Sequence, residues 1–498
     1  MSAALTSSAA SDGHRVIVVA ALMTAFMQAV SISLPNAALL YIQGSLSMAD
    51  DEVGWIFTSY IAANVITAPT ARWLAGRFGR KVIFQLSIAI FTVGLVLAAH
   101  AETSLQFIAA RVIQGGAAGL LGPLSMAILL DTSPPARQAH MSLVWTVTVL
   151  LGLLSGPSIG GWLSEYHGWP SLFYISLPIA AVVFLAMELT LQEKKVEQKV
   201  PFDFFGLATL SLGVIGLQLL LDRGERMEWF DSAEIWAEAT VSALGFYLYL
   251  VHVWTTRDHF LNKALFKDRN FVLSTVMYFA LGFVLLPTIA LTSPMLDEIL
   301  NYPADTTGYM AIPRSVALIG ALILAGRIPQ RIDTRLLVVG GIVLIVYGNW
   351  RMLSYSPLMD WRPVLVAGVI QGAGLGVLMQ ALTKTAFSTL NPTLRPEGAM
   401  LFNLSRLYGS TIGIALVIVF FYDNTQAMHL ALAKDLAPSR AAAHVADLLA
   451  TPKLAMLNDA ITGQAAFVGI IGQFEVMMIV MLIVSPLVLF LRKPHRIN

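Results

Sequence analysis

Three arginines and one glutamate stand where charge is costly. Arg111, Arg314 and Arg406 each interrupt a run of apolar residues, and Glu475 has long apolar runs on both sides. A permanent charge in such a stretch needs a partner, a carbonyl or water, and by default it marks a path for ions or solutes. A carboxylate there can load a proton from one side and release it to the other. The last apolar run begins near Ala466, so a rise of about 1.5 Å per residue puts Glu475 roughly 14 Å into a hydrocarbon core about 30 Å thick, close to its midplane. Asp297, at the end of its own run, is the next acid able to do this work. A second pattern concerns the backbone: Gly152, Gly156 and Gly160 recur at helical spacing beside Pro157. Spaced glycines permit close helix contact, and the proline removes one backbone hydrogen bond and bends the helix. No phosphate-cradling glycine loop, histidine cluster with metal-ligand spacing, paired carboxylate or nucleophile–base pair lies in these runs. No metal, no cofactor and no enzymatic chemistry is expected.

Composition sets the elements that must hold these residues. Of 498 residues, 57% are hydrophobic and 12% charged, against about 25% charged in a soluble domain, and the mean hydropathy is +0.72. An ordinary water-soluble fold is excluded. A net charge of +1 provides no basic field for nucleic acid, and the lack of cysteine removes disulfides and thiolate metal sites. The run from Val16 to about Leu40 is too long for the 7–15-residue core of a signal peptide and reads as a retained membrane helix.

A bilayer core takes about 20 apolar residues per helix. Such runs are predicted at 16–40, 53–71, 82–100, 105–130, 140–163, 169–191, 204–221, 235–256, 271–292, 308–328, 336–353, 362–386, 398–422 and 466–491, fourteen in all. With both termini cytoplasmic, most of the lysines and arginines fall in inner loops, as the positive-inside rule requires. The plan is an all-α integral membrane protein. It has a cytoplasmic N-terminus at 1–15, a six-helix half at 16–191 and an inserted helix pair with flanking loops at 192–270. A second six-helix half follows at 271–491, then a cytoplasmic tail at 492–498. An outer loop is predicted at 423–464, with a short helix between Ala427 and Ala450 that caps the outer mouth or docks a periplasmic partner.

The halves repeat. Leu74-Ala75-Gly76-Arg77 recurs as Leu324-Ala325-Gly326-Arg327, and Val112-Ile113-Gln114-Gly115 as Val369-Ile370-Gln371-Gly372, in the same order and roughly 250 residues apart. Halves of matching orientation, related by an axis along the membrane normal, are one plan of secondary transporters, with the solute site near the midplane between them.

These residues resemble the major facilitator superfamily, and within it the fourteen-helix drug:proton antiporters of the EmrB-like group. Leu74, Ala75, Arg77, Gly79, Arg80 and Lys81 match the superfamily's G-x-L-a-D-r-x-G-r-k loop, which implies a cytoplasmic gate. Arg72 replaces its first glycine and Gly76 its aspartate, so the clamp attributed to that acid is weaker here or built differently. Arg111 with Gln114 and Gly115 looks like R-x-x-Q-G, implied to assist proton movement; the other reading is an arginine reaching to the nearer headgroups. The string from Gly152 through Pro157 to Gly160 is similar to the exporters' antiporter motif, or is a packing face. Leu221-Asp222-Arg223-Gly224-Glu225, Ile312-Pro313-Arg314 and Phe402-Asn403-Leu404-Ser405-Arg406 with Gly409 and Gly413 resemble the EmrB group in particular. Its first-helix aspartate, five residues before Asn36, is here Ser31. That implies anionic or neutral amphiphiles as substrates, or a different coupling acid, for which Glu475 and then Asp297 are the choices.

What the resemblance implies is proton-coupled export of amphipathic compounds by alternating access, in the inner membrane. Gln28, Ser31, Asn36, Gln114, Arg314 and Arg406 are the expected substrate-cavity residues. Expected partners are the substrate, protons and the bilayer, with a periplasmic adaptor and an outer-membrane channel where the cell has an outer membrane. The alternatives are a dedicated exporter of one metabolite or fatty acid, and a membrane-embedded enzyme or sensor on the same helices.

Overall fold

Proline lacks a backbone N–H, and two prolines decide where the first helices break. The computed structural model describes residues 2–49, 52–134, 137–193, 202–224, 227–256, 263–328, 333–391, 394–435 and 451–492. In it α1 (Ser2–Ser33), which takes in the predicted polar lead, gives way at Pro35 to a 3-10 helix, Leu34–Ala38, and then to α2 (Leu39–Leu46). Pro69 likewise divides α3 (Trp55–Thr67) from α4 (Ala71–Phe78). Gly79, at φ +97°, turns the chain into α5 (Arg80–Ala99), a left-handed φ that costs glycine little. Then come α6 (Ser104–Thr132), α7 (Gln138–His167), α8 (Ser171–Tyr174) and α9 (Ser176–Thr190). The inserted pair is α10 (Phe204–Arg223), N-capped by Asp203, and α11 (Ala233–Thr255). The second half holds α12 (Arg269–Pro294), continued by a π-helix at Met295–Ile299, and α13 (Ala304–Arg327). It ends with α14 (Thr334–Met352), α15 (Arg362–Ser388), α16 (Arg395–Asp435) and α17 (Thr451–Val484).

Among the described residues there is no strand. Twelve helical spans among those residues are long and apolar enough to cross a membrane, judged by length and composition. The other two of the fourteen predicted are α3, shortened by its proline break, and α11, which carries Glu234 and Glu238 in its first two turns. In the stretch expected as an outer loop at 423–464, helix continues from α16 to Asp435 and resumes at Thr451, and His429 and Asn458 bond across at 3.3 Å. Alanine and leucine there favour helix with or without lipid around them. Residues 436–450, the linker from 194 to 201 and the tail from 493 lie outside the described residues.

Glycines carry the closest contacts, in the same way in both halves. A side chain on Gly115 of α6 would strike the Tyr60 carbonyl of α3, and one on Gly372 of α15 the Arg314 carbonyl of α13. Gly119 and Gly376 lie likewise on the carbonyls of Asn64 and Leu318, and Gly152 and Gly409 on those of Phe26 and Phe279. Gly94 meets Gln114 as Gly348 meets Gln371. The repeat of two short strings is thus a repeat of backbone approach, α6 on α3 and α7 on α1, then α15 on α13 and α16 on α12. Lipid tails leave little hydrophobic drive between helices, so such contact is what holds them.

Gly376→Val should therefore cost about 1–3 kcal/mol of stability through overpacking, read as a lower unfolding midpoint of the purified protein. Gly320, with no neighbour within 4 Å, is the control: Gly320→Ala should leave the midpoint unchanged or raise it. Equal midpoints for both variants would remove the glycine contacts from the account of stability.

Candidate functional site

Arg111 on α6 is fully buried and held from three helices. Its Nε donates to the Ile56 carbonyl at 2.9 Å, and its Nη1 to the Ser31 carbonyl at 3.1 Å and to Gln114 Oε1 at 2.7 Å. The guanidinium carbon lies 4.4 Å from the Tyr60 ring centroid, a cation–π contact, and the Tyr60 hydroxyl donates to the Gln28 carbonyl at 3.1 Å. A reach to the headgroups is excluded. Among the described residues no carboxylate pairs with Arg111, and its Nη2, Ser31 Oγ and Gln114 Nε2 have no partner. Neutral acceptors soften the burial of a charge without cancelling it, so a charge arriving nearby acts strongly in this low-dielectric place.

Arg314 on α13 has the counterpart place in the second half. Its Nε donates to Gln371 Oε1 at 3.0 Å and its Nη2 to the Leu285 carbonyl at 3.4 Å. Gln371 in turn donates to Asn349 Oδ1 at 2.6 Å and Thr288 Oγ1 at 3.3 Å. Two cavities lie alongside. One, a narrow space of about 270 Å³ counted to its open mouth, lies between the halves, walled by Ser33, Asn36 and Phe57 from the first and Leu286, Ile289 and Ile414 from the second. The other, about 510 Å³ counted to its open mouth, has Arg314, Thr288, Thr307 and Tyr355 in its wall. Of the expected cavity residues, Asn36 and Arg314 line these spaces. Gln28, Ser31 and Gln114 pack around Tyr60 and Arg111 instead, and buried Arg406 bonds the Tyr278 hydroxyl, whose ring stacks on Phe402 at 3.9 Å.

At the end of the bundle that carries the basic loop, carboxylates from neighbouring helices hold the cations. Arg80 pairs with Asp131 of α6, and Lys81 with Glu188 of α9 at 3.0 Å. The open side of Gly79 is filled by the Glu193 carboxyl, which accepts the Val82 N–H at 3.3 Å and so satisfies an orphan donor at the start of α5. Arg77 is exposed on the last turn of α4. All these ties lie within the first half. The tie between halves is the ion pair of Arg72 with Glu397 at the start of α16. Gly152, Gly156 and Gly160 press on α1 and on Ser33 and Leu34 after it, while beside Pro157 the Ser158 hydroxyl donates to the Gly308 carbonyl of α13 at 2.6 Å. α7 is thus wedged between the two halves.

At the far end, Tyr41 donates to Glu165 at 2.8 Å, and that bond, with partial burial and the carboxylate's charge, holds the Tyr41 phenol above its ordinary pKa. Tyr166 reaches Asp305 at 3.4 Å, and the half-buried Asp297 accepts from Thr307. Glu475, expected as the coupling acid, does not join them. Phe474 packs edge-on against Tyr355, 6.1 Å between ring centroids, in the turn after α14. Glu475 therefore lies level with the far-end turns, exposed on the outside of α17 and lining neither cavity. Thr451-Pro452 is a helix-start pair, but hydropathy places the start at the apolar run from Ala466. The sequence also left Asp222 without a role. Its carboxyl accepts from Gln218 at 2.8 Å and from Thr58 of α3 at 3.1 Å, docking the inserted pair on the first half; the string around it was the only signal.

The sequence pattern that defines the Major Facilitator Superfamily matches residues 21–414, most of the chain. The chain belongs to the Major Facilitator Superfamily. Solved members of similar shape include a bacterial homologue of the human lysosomal transporter Spinster, inward-facing and occupied. Its TM-score is 0.61 at 15% identity over 96% of each chain. A mutant of the nucleoside transporter NupG gives 0.60 at 12%, over 96% of this chain and all of that one. Relatives by sequence include the multidrug export protein EmrB of Haemophilus influenzae, 29% identical over 84% of this chain and 82% of its own. EmrB of Escherichia coli is 29% identical over 83% and 81%, and the fatty acid resistance protein FarB of Neisseria gonorrhoeae 28% over 95% and 94%.

In this superfamily member the Arg72–Glu397 pair makes a measurable claim about the basic end. An exposed pair is worth about 0–1 kcal/mol, up to about fivefold in a two-state population. Spin labels at Gly76→Cys and Arg327→Cys, free of competing cysteines in this chain, should report longer separations when Glu397→Arg is added and recover when Arg72→Glu is added as well. A distribution that ignores both changes would deny the pair any hold on the gate.

Proposed function

We propose that the chain is a proton-coupled exporter of amphipathic organic compounds, working by alternating access in the inner membrane with both termini cytoplasmic. One observation carries this reading: each half turns a guanidinium inward without a carboxylate partner among the described residues, Arg111 fully buried and Arg314 half-buried, and each bonds the carbonyl next to a residue, Ile32 or Leu286, that walls an apolar cavity both halves line. A solute entering that cavity and a proton arriving nearby both change the energy of those charges, which is what coupling requires. The names of the relatives, multidrug export and fatty acid resistance proteins, support the same activity. Amphipathic solutes and protons are the partners of this reading; for a cell with an outer membrane, a periplasmic adaptor and an outer-membrane channel complete it. Transport of this kind makes and breaks no covalent bond, so the chain is not an enzyme in this account.

Asp297 is the coupling acid we favour, with Arg111 as the buried cation that sets the cost of each state. Asp297 is half-buried, is joined to Thr307 and sits at the end of α12 beside the second cavity. Arg72, Arg77, Gly79, Arg80 and Lys81 at the basic end, and the α7 wedge of Gly152, Gly156, Pro157 and Gly160, make the gate.

In liposomes holding the full chain, an amphipathic dye should move against its gradient only while a pH difference is imposed. Arg111→Ala should abolish that movement in a protein that still inserts and runs as one species. Asp297→Asn should abolish uphill movement and leave downhill exchange. Uphill transport without a pH difference would overturn proton coupling, and full activity of Asp297→Asn would remove Asp297 from it.

A further inference from the structure

The two halves place one guanidinium each in counterpart positions but send it there from opposite helices. In the first half the cation comes from α6, as Arg111, and the Tyr60 ring of α3 covers it. The glycine contacts set the correspondence: Gly115 lies on the Tyr60 carbonyl as Gly372 lies on the Arg314 carbonyl. Arg314 of α13 therefore stands where Tyr60 stands, and Gly368 of α15 where Arg111 stands. The two side chains still converge. Each donates to the matching glutamine, Gln114 or Gln371, and to a carbonyl of the first helix of its half, Ser31 or Leu285.

The exchange has a volume consequence. A tyrosine ring is gone and glycine replaces an arginine, so the second half keeps a space where the first is filled. That space is the cavity of about 510 Å³ with Arg314 and Gly368 in its wall. Arg111 is sealed, whereas Arg314 is only half-buried. Arg314 makes no ion pair among the described residues, and its Nη1 has no partner there. The Tyr355 hydroxyl, in the same wall, is buried and likewise unpartnered. Two donors without acceptors, one of them cationic, thus belong to residues that wall a space whose remaining wall includes Ile289, Leu296 and Met310.

We propose that this cavity is a subsite for the head group of an amphipathic monoanion, a carboxylate or sulfonate, accepted by Arg314 Nη1 and the Tyr355 hydroxyl, with the start of its apolar chain along Ile289, Leu296 and Met310. An oxyanion supplies the acceptor that both donors lack, and a charge-assisted bond is the strong kind. A neutral alcohol leaves the guanidinium uncompensated, and an ammonium head meets a like charge. The proposal rests on the export reading for the fate of the bound molecule, although the binding itself is measured separately. A phospholipid phosphate has the same oxyanion chemistry, and repeating the titration in maltoside micelles, which hold no phosphate, separates the two.

The test uses the full chain in phosphatidylcholine nanodiscs at pH 8, with dodecanoate, dodecanol and dodecyltrimethylammonium as probes of one chain length and calorimetry or tryptophan fluorescence as readout. Dodecanoate should bind at least about tenfold tighter than dodecanol, as a charge-assisted bond implies. Arg314→Gln should erase that difference, Arg314→Lys should keep part of it, and Tyr355→Phe should reduce it a few-fold. Gly368→Ala, whose Cβ would meet the Arg314 side chain only at ordinary contact distance, should leave the preference in place, and Arg314→Lys with Tyr355→Phe decides the matter if Arg314→Gln fails to run as one species. Equal affinities in the wild type, a preference that survives Arg314→Gln, or equal weakening of all three probes would overturn the subsite. A preference present in phosphate-free maltoside micelles and lost in phosphatidylcholine nanodiscs would make a lipid phosphate the occupant and overturn the substrate assignment. A dodecanoate preference without uphill transport in liposomes would overturn the export reading and leave the subsite, and uphill transport without the preference would do the reverse.

Discussion

Helices surrounded by lipid have little to gain from hiding apolar side chains against one another, so the distance at which their backbones meet decides whether they stay together. In this chain that distance is set by glycines lying on carbonyl groups of the neighbouring helix. Gly115 and Gly119 seat α6 on Tyr60 and Asn64, and Gly372 and Gly376 seat α15 on Arg314 and Leu318. The same contacts fix the level at which each side chain projects inward. A slide of one helix by a single turn would separate Arg111 from the Ser31 carbonyl and Arg314 from Gln371, so the polar interior depends on the close contacts and not the reverse.

Given that frame, burial of cations becomes affordable because carbonyls and amides are already in place around them. Arg111 takes the Ile56 and Ser31 carbonyls and Gln114, and the Tyr60 ring closes its remaining side. Arg314 has fewer acceptors and a glycine for a neighbour, and so it borders open space. Two halves with one packing scheme thus differ in what their buried charge can meet. Ion pairs serve elsewhere, at the ends of the bundle. Arg80, Lys81 and Arg72 find Asp131, Glu188 and Glu397 near one end, and Arg223 finds Glu234 and Glu238 near the other. The departures at Arg72 and Gly76 from the family loop make physical sense in that light: residue 72 adds a cation, and the carboxylate that answers it is on α16.

Much of this was legible in the residues. Length, hydropathy and loop charge are local properties, and they determined the helical class and the approximate position of most helices, while the loop and helix motifs pointed to the family. The repeat was visible because identical backbone contacts need glycine at the same steps, so Gly115 and Gly372 had to recur. Arg111 could be marked because a charge in an apolar run is unusual whatever surrounds it. Three things were decided only by the folded chain. Glu475 faces outward, level with Tyr355, because α17 begins at Thr451 and an alanine-rich helix carries no mark of where lipid ends. Asp222 became a tie between α10 and α3 only when Thr58 came to face it. The space beside Arg314 exists because Gly368 and Arg314 come from helices far apart in sequence, and no local pattern records which side chain will stand opposite which. Hydropathy and spacing specify that a segment is a membrane helix; the height and rotation at which it meets its neighbours are properties of the contact, and the function proposed here rests on those.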